Sequence, residues 1–319
     1  MKSKLRFIPV ILIISLLICC SASLKTLESS NSPVVITVAT YNTLNFTDNI
    51  DDPDSPFDQD RGKSQKAIDA LGEVFKAMNA DIMGVEEVEK KVLLEDFCKK
   101  YLPESKYFIS FFKSWDPSGI SVGLLTKYPI LNEKLIEDIF LKDENGKEMF
   151  FNYGFLKEKP IPFSRGILKV TVKIKKGEEV TFFVVHFKAG MSEQSPERRI
   201  AEAQALREVV RKEYNKDKKV DFVILGDFNE TPRSKTVKII EGLDTDMPLK
   251  NVFNLNSQEI SNKERATHPS YNPYRPIDHI FISPGMVENY VKDSAQVFKH
   301  PKAPDASDHL PVMCKFMFN

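Results

Sequence analysis

From residue 34 onward the hydrophobic positions switch between two periods. The β-branched run VVITVATY (34 to 41) gives way to GKSQKAIDALGEVFKAMN (62 to 79), where Ile68, Leu71, Phe75 and Met78 recur at helical spacing, and then to the apolar run DIMGVEEV (81 to 88). Strand, helix, strand is the opening of a βαβ unit. Further strands are expected at 107–112, 120–125, 166–174, 180–187, 221–228, 277–283 and 311–318. A second long helix is expected after Ser195-Pro196, with Ser195 as N-cap and Pro196 in the first helical position; Ile200, Ala203, Leu206, Val209 and Val210 hold its spacing to about Tyr214. Hairpin-like strands among long helices point to mixed sheets covered by helices, not to a pure sandwich or a bundle. No repeat, low-complexity block or Pro/Ser-rich linker divides residues 34–319, so one domain is expected there.

The start of the chain follows another pattern. Lys2, Lys4 and Arg6 precede the apolar run Phe7 to Ile18, and small residues follow, which is the layout of a secretory signal. The run is short of the ~20 apolar residues of a membrane span. LLICCSAS resembles a bacterial lipobox with Cys20, or else Cys19, as the lipidated residue; cleavage after Ala22-Ser23 without a lipid is the rival. The expected division is therefore a signal peptide at 1–19, a polar tether at 20–33 and a domain at 34–319, placed outside the cytoplasm as a membrane-anchored lipoprotein or a secreted protein.

Composition narrows the class. With 319 residues, 42% hydrophobic and 28% charged, the chain is neither disordered nor fibrous. Its 45 basic and 45 acidic side chains leave no global basic field of the kind that marks nucleic-acid packaging proteins, and loss of the signal turns the balance mildly acidic. A local basic groove stays open. Past the signal only Cys98 and Cys314 remain, too few for a disulfide framework; each reads as a buried apolar residue, on a helix and on the last strand.

Polar groups stand repeatedly at the ends of apolar strands: Asn42, Glu86 and Glu87, His186, Asp227 and Asn229, Asp278, and Asp308 with His309. One such residue is most often a turn former. The set, in order, resembles the endonuclease/exonuclease/phosphatase superfamily of metal-dependent phosphoesterases, through TYNTLNF (40 to 46), GVEEVE (84 to 89), SVGLLTKYPI (121 to 130), VVHFKAG (184 to 190), ILGDFNETPRS (224 to 234), RPIDHIFIS (275 to 283) and SDHLPV (307 to 312). The resemblance implies an α/β (α+β) sandwich, two mixed β-sheets packed face to face and flanked by helices, with the site at one rim.

It also implies roles. Glu87 resembles the family's metal carboxylate, with Asn42 beside it; Glu86 stands where the family commonly has Gln, and strand alternation is expected to turn it away from Glu87. A hard divalent cation is implied, Mg²⁺ first, Mn²⁺ or Ca²⁺ otherwise. His186 and His309 resemble the family's paired histidines, Asp278 the acid that orients His309, and Asp227 the group that polarises water or assists the leaving oxygen; Asn229 would position phosphate or nucleophile, and Asp308 would orient the surroundings of His309 or join the metal network. Arg165 and Arg275 are phosphate contacts or ion pairs. His268 and His279 read as structural. The acidic loop 51–60 lacks the spaced ligands and glycine of an EF-hand, and the aromatic runs 111–115 and 149–155 read as core strands.

The implied activity is metal-assisted phosphodiester hydrolysis, as an extracytoplasmic nuclease acting on DNA or RNA, by a monomer. The alternative is a phospholipid or inositol-phosphate phosphoesterase, sphingomyelinase-like. HFKAG departs from the histidine-glutamine pattern of sphingomyelinases, while GDFNET and RPIDHI depart from the patterns of inositol phosphate phosphatases. A catalytically inactive surface binding protein is disfavoured because every position keeps its expected chemistry.

Overall fold

Two parallel strand pairs organise the protein. In a computed structural model, which describes residues 32–52, 55, 62–151, 158–190, 192, 194–270 and 274–319, β1 (Val34–Phe46) and β2 (Ile82–Val88) run parallel and are joined through helix α1 (Gln65–Met78). The same construction recurs later, where β7 (Glu178–His186) and β8 (Phe222–Asp227) run parallel through helix α3 (Ser195–Lys216). No sequence repeat announces this symmetry, because only the strand–helix–strand pattern is shared.

Antiparallel strands complete each sheet. Around β1 and β2 lie β3 (Phe108–Phe111), β4 (Ser121–Thr126), β11 (Gln296–Val297) and β12 (Val312–Phe318), in the order β11-β12-β1-β2-β4-β3. Around β7 and β8 lie β5 (Ile130–Ile136), β6 (Ile167–Lys175), β9 (Lys250–Asn251) and β10 (Asp278–Ile282), in the order β5-β6-β7-β8-β10-β9. The fold is thus two six-stranded mixed sheets with flanking helices. Val34 pairs in register with Phe318, so the first and last strands lie side by side.

Period-2 burial makes the central core. Ile36, Val38, Ile82, Leu124, Val184, Val223, Leu225, Ile280 and Cys314 point between the sheets and are fully buried. The opposite faces meet helices: Ala39, Met83 and Val85 pack on α1 and on α2 (Lys91–Tyr101) through Val74, Phe75 and Phe97, and Phe183, Val185 and Ile224 pack on α3 and on α4 (Lys235–Glu241) through Leu206, Val210 and Ile240. Cys98 and Cys314 are free and buried.

Helix ends follow their capping chemistry. Ser64 accepts from the Ala67 amide to start α1, and Asn79 closes it in the left-handed region. At α3 the expected cap is displaced by one residue: Gln194 is the N-cap, and Ser195 lies inside the first turn with its hydroxyl 2.6 Å from that of Ser192. Phe150 is exposed and Phe151 buried outside any strand, so the start of the aromatic run 149–155 is no core strand. The stretch expected to be a signal, nearly all of the expected tether and most of the acidic loop 51–60 lie outside the described residues.

Gly226 shows how tightly β7 and β8 are joined at the site. Its φ is +146°, and a Cβ there would stand 1.9 Å from the Val185 carbonyl oxygen. Gly226→Ala should therefore destabilise the protein by at least ~4 kcal/mol, among the largest single-site effects. Gly177→Ala, at φ +86° but with nothing within 4 Å of its Cβ, should cost only the ~1–2 kcal/mol of left-handed backbone. Thermal melts of the two variants check the contrast; equal losses would rule out the steric account.

Candidate active site

The inward row of each central strand ends in a polar residue. Following Ile36 and Val38 on β1 come Thr40 and Asn42; β2 ends in Glu86, β7 in His186, β8 in Asp227, and β10 starts with Asp278. Strand alternation thus carries the apolar core up to one rim and there replaces it with acids, an amide and an imidazole. Asp278 is the register partner of Asp227, and His186 that of Asp227 on the other side.

A bulge changes the expectation for β2. Glu86, not Glu87, takes the inward position, paired in register with Asn42, and Glu87 is the extra residue where the ladder shifts before Val88, at φ +62°. The left-handed turn swings Glu87 back, so both acids lie at the site. Asn42 Nδ2 donates to Glu87 Oε1 (3.1 Å) and to Asp227 Oδ2 (3.0 Å), while the Asn45 amide donates to Glu87 Oε2 (2.9 Å). Leu44 and Asn45 are themselves left-handed, and the Leu44 amide donates to Asn42 Oδ1 (3.0 Å). Glu86 is fully buried with one oxygen accepting from Thr40 Oγ1 (2.7 Å); burial first, and then the charge of Asp278, hold its carboxyl well above the ordinary range.

Two imidazoles flank Asp227, with proton affinities pushed in opposite directions. His186 Nε2 lies 3.5 Å and His309 Nε2 3.8 Å from Asp227 Oδ2. His186 is fully buried and neither ring nitrogen has a hydrogen-bond partner among the described residues; burial, aided by the charges of Arg165 and His309, drives its pKa well below the ordinary imidazole range and favours the neutral ring. For His309 burial also opposes charge, but Asp278, with Oδ2 2.8 Å from Nδ1, then Asp227 and Asp308, outweigh it and raise the pKa to about 10. Burial and Asp278 raise Asp227, an effect that His309 opposes. Ser307 ties these parts together, its hydroxyl donating to the Asn42 carbonyl (2.8 Å) and accepting from the His309 amide (3.1 Å).

Loops brace the rim. Asn229, at φ +52°, donates its backbone N–H to Asp227 Oδ1 (2.7 Å) and its amide to the Phe187 carbonyl (3.2 Å). Glu202 on α3 accepts from the Lys188 and Ser164 amides, and Arg199 joins Glu230 to the Lys188 and Gly190 carbonyls. Arg165 is buried, 3.6 Å from Asp116 and bonded to the Phe187 carbonyl, so its guanidinium is not on open surface, and its charge acts on His186. The Arg275 carbonyl accepts from the Thr267 and His268 amides. His279 is a satisfied core group, between Asn251 and the Glu230 carbonyl, held down to about 4 chiefly by burial.

Two residues enter the site without a motif to announce them. Lys63 donates to the Leu44 carbonyl (2.8 Å); burial lowers it to about 8, opposed by the nearby charges of Glu87 and Asp308. His268, read from sequence as structural, stands edge-on to His309 with ring centres 4.8 Å apart, and its Nε2 is 3.3 Å from Asp308 Oδ2. Asp308 therefore engages His268 directly, and burial notwithstanding its pKa falls through that pairing and the charge of His309. Two groups, Asp227 with Asp278 and His309, and His268 with Asp308 and His309, place one ligand atom of each member within 4.8 Å of the others.

Residues 37–309 match the Endonuclease/Exonuclease/phosphatase family. The chain belongs to that family. It is accordingly an enzyme of the phosphoester hydrolase class. No curated protein sequence gives a significant match. Among solved structures, the human Nocturnin catalytic domain shares 19% identity at a TM-score of 0.60, covering 90% of this chain and 97% of that one. A mannosyl-6-phosphatase of Bacteroides thetaiotaomicron shares 20% at 0.59, covering 89% and 100%, and truncated Caenorhabditis elegans TDP2 shares 16% at 0.58, covering 89% and 98%. At these identities the likeness is one of fold.

The charged state of His309 has a consequence for stability. An imidazole raised to about 10 in the folded protein, against ~6.5 unfolded, contributes stability in full below pH ~6.5 and loses it as pH rises through the folded value. The melting temperature should fall from pH 6.5 to 10, and His309→Gln, which has no such proton to lose, should show a shallower slope. Parallel slopes in calorimetry would refute the assignment.

Proposed function

We propose that the protein is a divalent-metal-dependent phosphodiester hydrolase acting outside the cytoplasm on DNA or RNA. The observation that carries the reaction type is the pair of imidazoles set about one carboxylate, His186 Nε2 at 3.5 Å and His309 Nε2 at 3.8 Å from Asp227 Oδ2, since burial of the first and the carboxylate partner of the second push their proton affinities apart and so divide the acid and base roles. Asp227, with a raised proton affinity, accepts the proton of the attacking water as its oxygen bonds to phosphorus. His309, charged and oriented by Asp278, donates from Nε2 to the leaving oxygen as the P–O bond breaks. Neutral His186 and the Lys63 ammonium hydrogen-bond the phosphoryl oxygens.

The donor set suits a hard cation. Glu87 and Asp227 offer carboxylate oxygens without cysteine nearby; Asn42 presents Nδ2 to them, so it joins as a ligand only with its amide reversed. A Mg²⁺ or Mn²⁺ ion held there would neutralise charge developing on the phosphoryl group. The nuclease reading is supported by the GDFN and PID strings, and an N-terminal lipid at Cys20 would keep the monomeric enzyme at the membrane.

EDTA should abolish turnover, Mg²⁺ or Mn²⁺ should restore it, and Glu87→Gln should not be restored; full activity in a stripped sample would refute metal dependence. Plasmid DNA, RNA, sphingomyelin and inositol phosphates assayed side by side test the substrate, and turnover confined to the last two would transfer the protein to the alternative.

His309→Ala and Asp227→Asn should each lower kcat by ~10²–10⁴-fold, with the double variant far short of the product. Asp278→Asn should reproduce much of the His309 defect. Near-normal specific activity in folded His309→Ala would defeat the mechanism.

A further inference from the structure

We propose that His268, Asp308 and His309 form a second cation site, selective for a borderline transition ion such as Zn²⁺, and that its occupation withdraws His309 from the reaction. One ligand atom from each residue lies within 4.8 Å of the other two. Two imidazoles and one carboxylate differ chemically from the oxygen donors of Glu87 and Asp227, and it is this nitrogen-rich set that favours Zn²⁺ over Mg²⁺. The rim thus offers a hard set of donors and a softer one, with His309 3.8 Å from Asp227 of the first.

The ligands are already held. His309 donates Nδ1–H to Asp278 at 2.8 Å, which leaves Nε2 for a metal, the carboxylate–histidine–metal arrangement. His268 is fixed by its own amide on the Arg275 carbonyl (3.0 Å), and the neighbouring Thr267 carbonyl accepts from the Leu310 amide (2.7 Å), so the segment carrying His268 is pinned beside the one carrying His309. Asp308 lies between them, Oδ2 already 3.3 Å from His268 and Oδ1 buried with no partner among the described residues. Zn–N bonds of ~2.0–2.1 Å place ligand atoms about 3.3 Å apart, the separation already present between His268 Nε2 and Asp308 Oδ2, so His309 is the ligand that must close the remaining distance. Binding expels the Nε2 proton of His309 to solvent. The inhibitory half of the proposal rests on His309 as the proton donor; the binding half does not.

The test titrates the purified chain, with Mg²⁺ in excess, with Zn²⁺ by calorimetry and with Co²⁺ by visible absorption. One Zn²⁺ per chain is expected, with the intense Co²⁺ bands of a four-coordinate site, and His268→Phe should weaken binding by at least ~10-fold. Inhibition by Zn²⁺, read as a fraction of each variant's own Mg²⁺-dependent turnover, should be lost in it whatever that basal turnover is. His268→Gln, checked for fold by near-UV circular dichroism, serves if the Phe variant does not fold. Binding unchanged in these variants, or lost in Glu87→Gln, puts the ion in the oxygen site and overturns the proposal. Absence of turnover on every phosphodiester would defeat the functional reading but leave the calorimetric result decisive for the site.

Discussion

Asp227 and Asp278 are register partners on adjacent strands, both buried and both facing inward. Two carboxylates ~5 Å apart at an effective dielectric of ~20 repel by about 3 kcal/mol, and each also loses water. Such a pair persists when a cation joins it or one acid takes up a proton, and His309 supplies a charge beside both. The tight Asp278 bond, the raised His309 and the raised Asp227 are three aspects of one electrostatic compromise. Ser307 then fixes the loop bearing His309 to the end of β1, so the two sheets are tied at the place where their inner faces turn polar.

That arrangement was legible in the sequence where it follows from alternation. His186 and Asp227 occupy the next inward position after an apolar row, Asp278 the position before one and Asn42 the position after Thr40, and a period of two predicts their face without any knowledge of the partner strand. Cys98 and Cys314 were readable for the same reason, as apolar positions within periodic runs. Other parts depend on tertiary pairing. Glu87 adopts φ +62°, a conformation that glutamate does not favour by itself, because the ladder between β2 and its neighbours must absorb one extra residue. The periodicity therefore placed Glu86 and Glu87 on opposite faces, whereas the bulge brings both to the site. His268 lies in irregular chain between β9 and β10, and Lys63 is one lysine among many; neither has a local pattern that marks it.

Glu86 illustrates how the inner row is stabilised. A charged acid at this depth would be costly, and its environment drives it toward the neutral form, in which a single hydrogen bond from Thr40 suffices for one oxygen. The fold accommodates several acids in one small volume by keeping their number of simultaneous charges low. Lys63 and His309 supply positive charge at the rim, and His186 contributes none.

Register between Val34 and Phe318 brings the entering and departing ends of the folded unit within one strand spacing. From Val34 to Asn42 the first strand covers ~26 Å, so both ends lie at the pole of the sandwich remote from the catalytic rim. Immobilisation through either terminus on a bead, a particle or a cell surface would leave that rim turned toward the medium. A short head-to-tail splice could also close the backbone into a ring without crossing the catalytic rim, allowing it to be reopened at an exposed turn elsewhere.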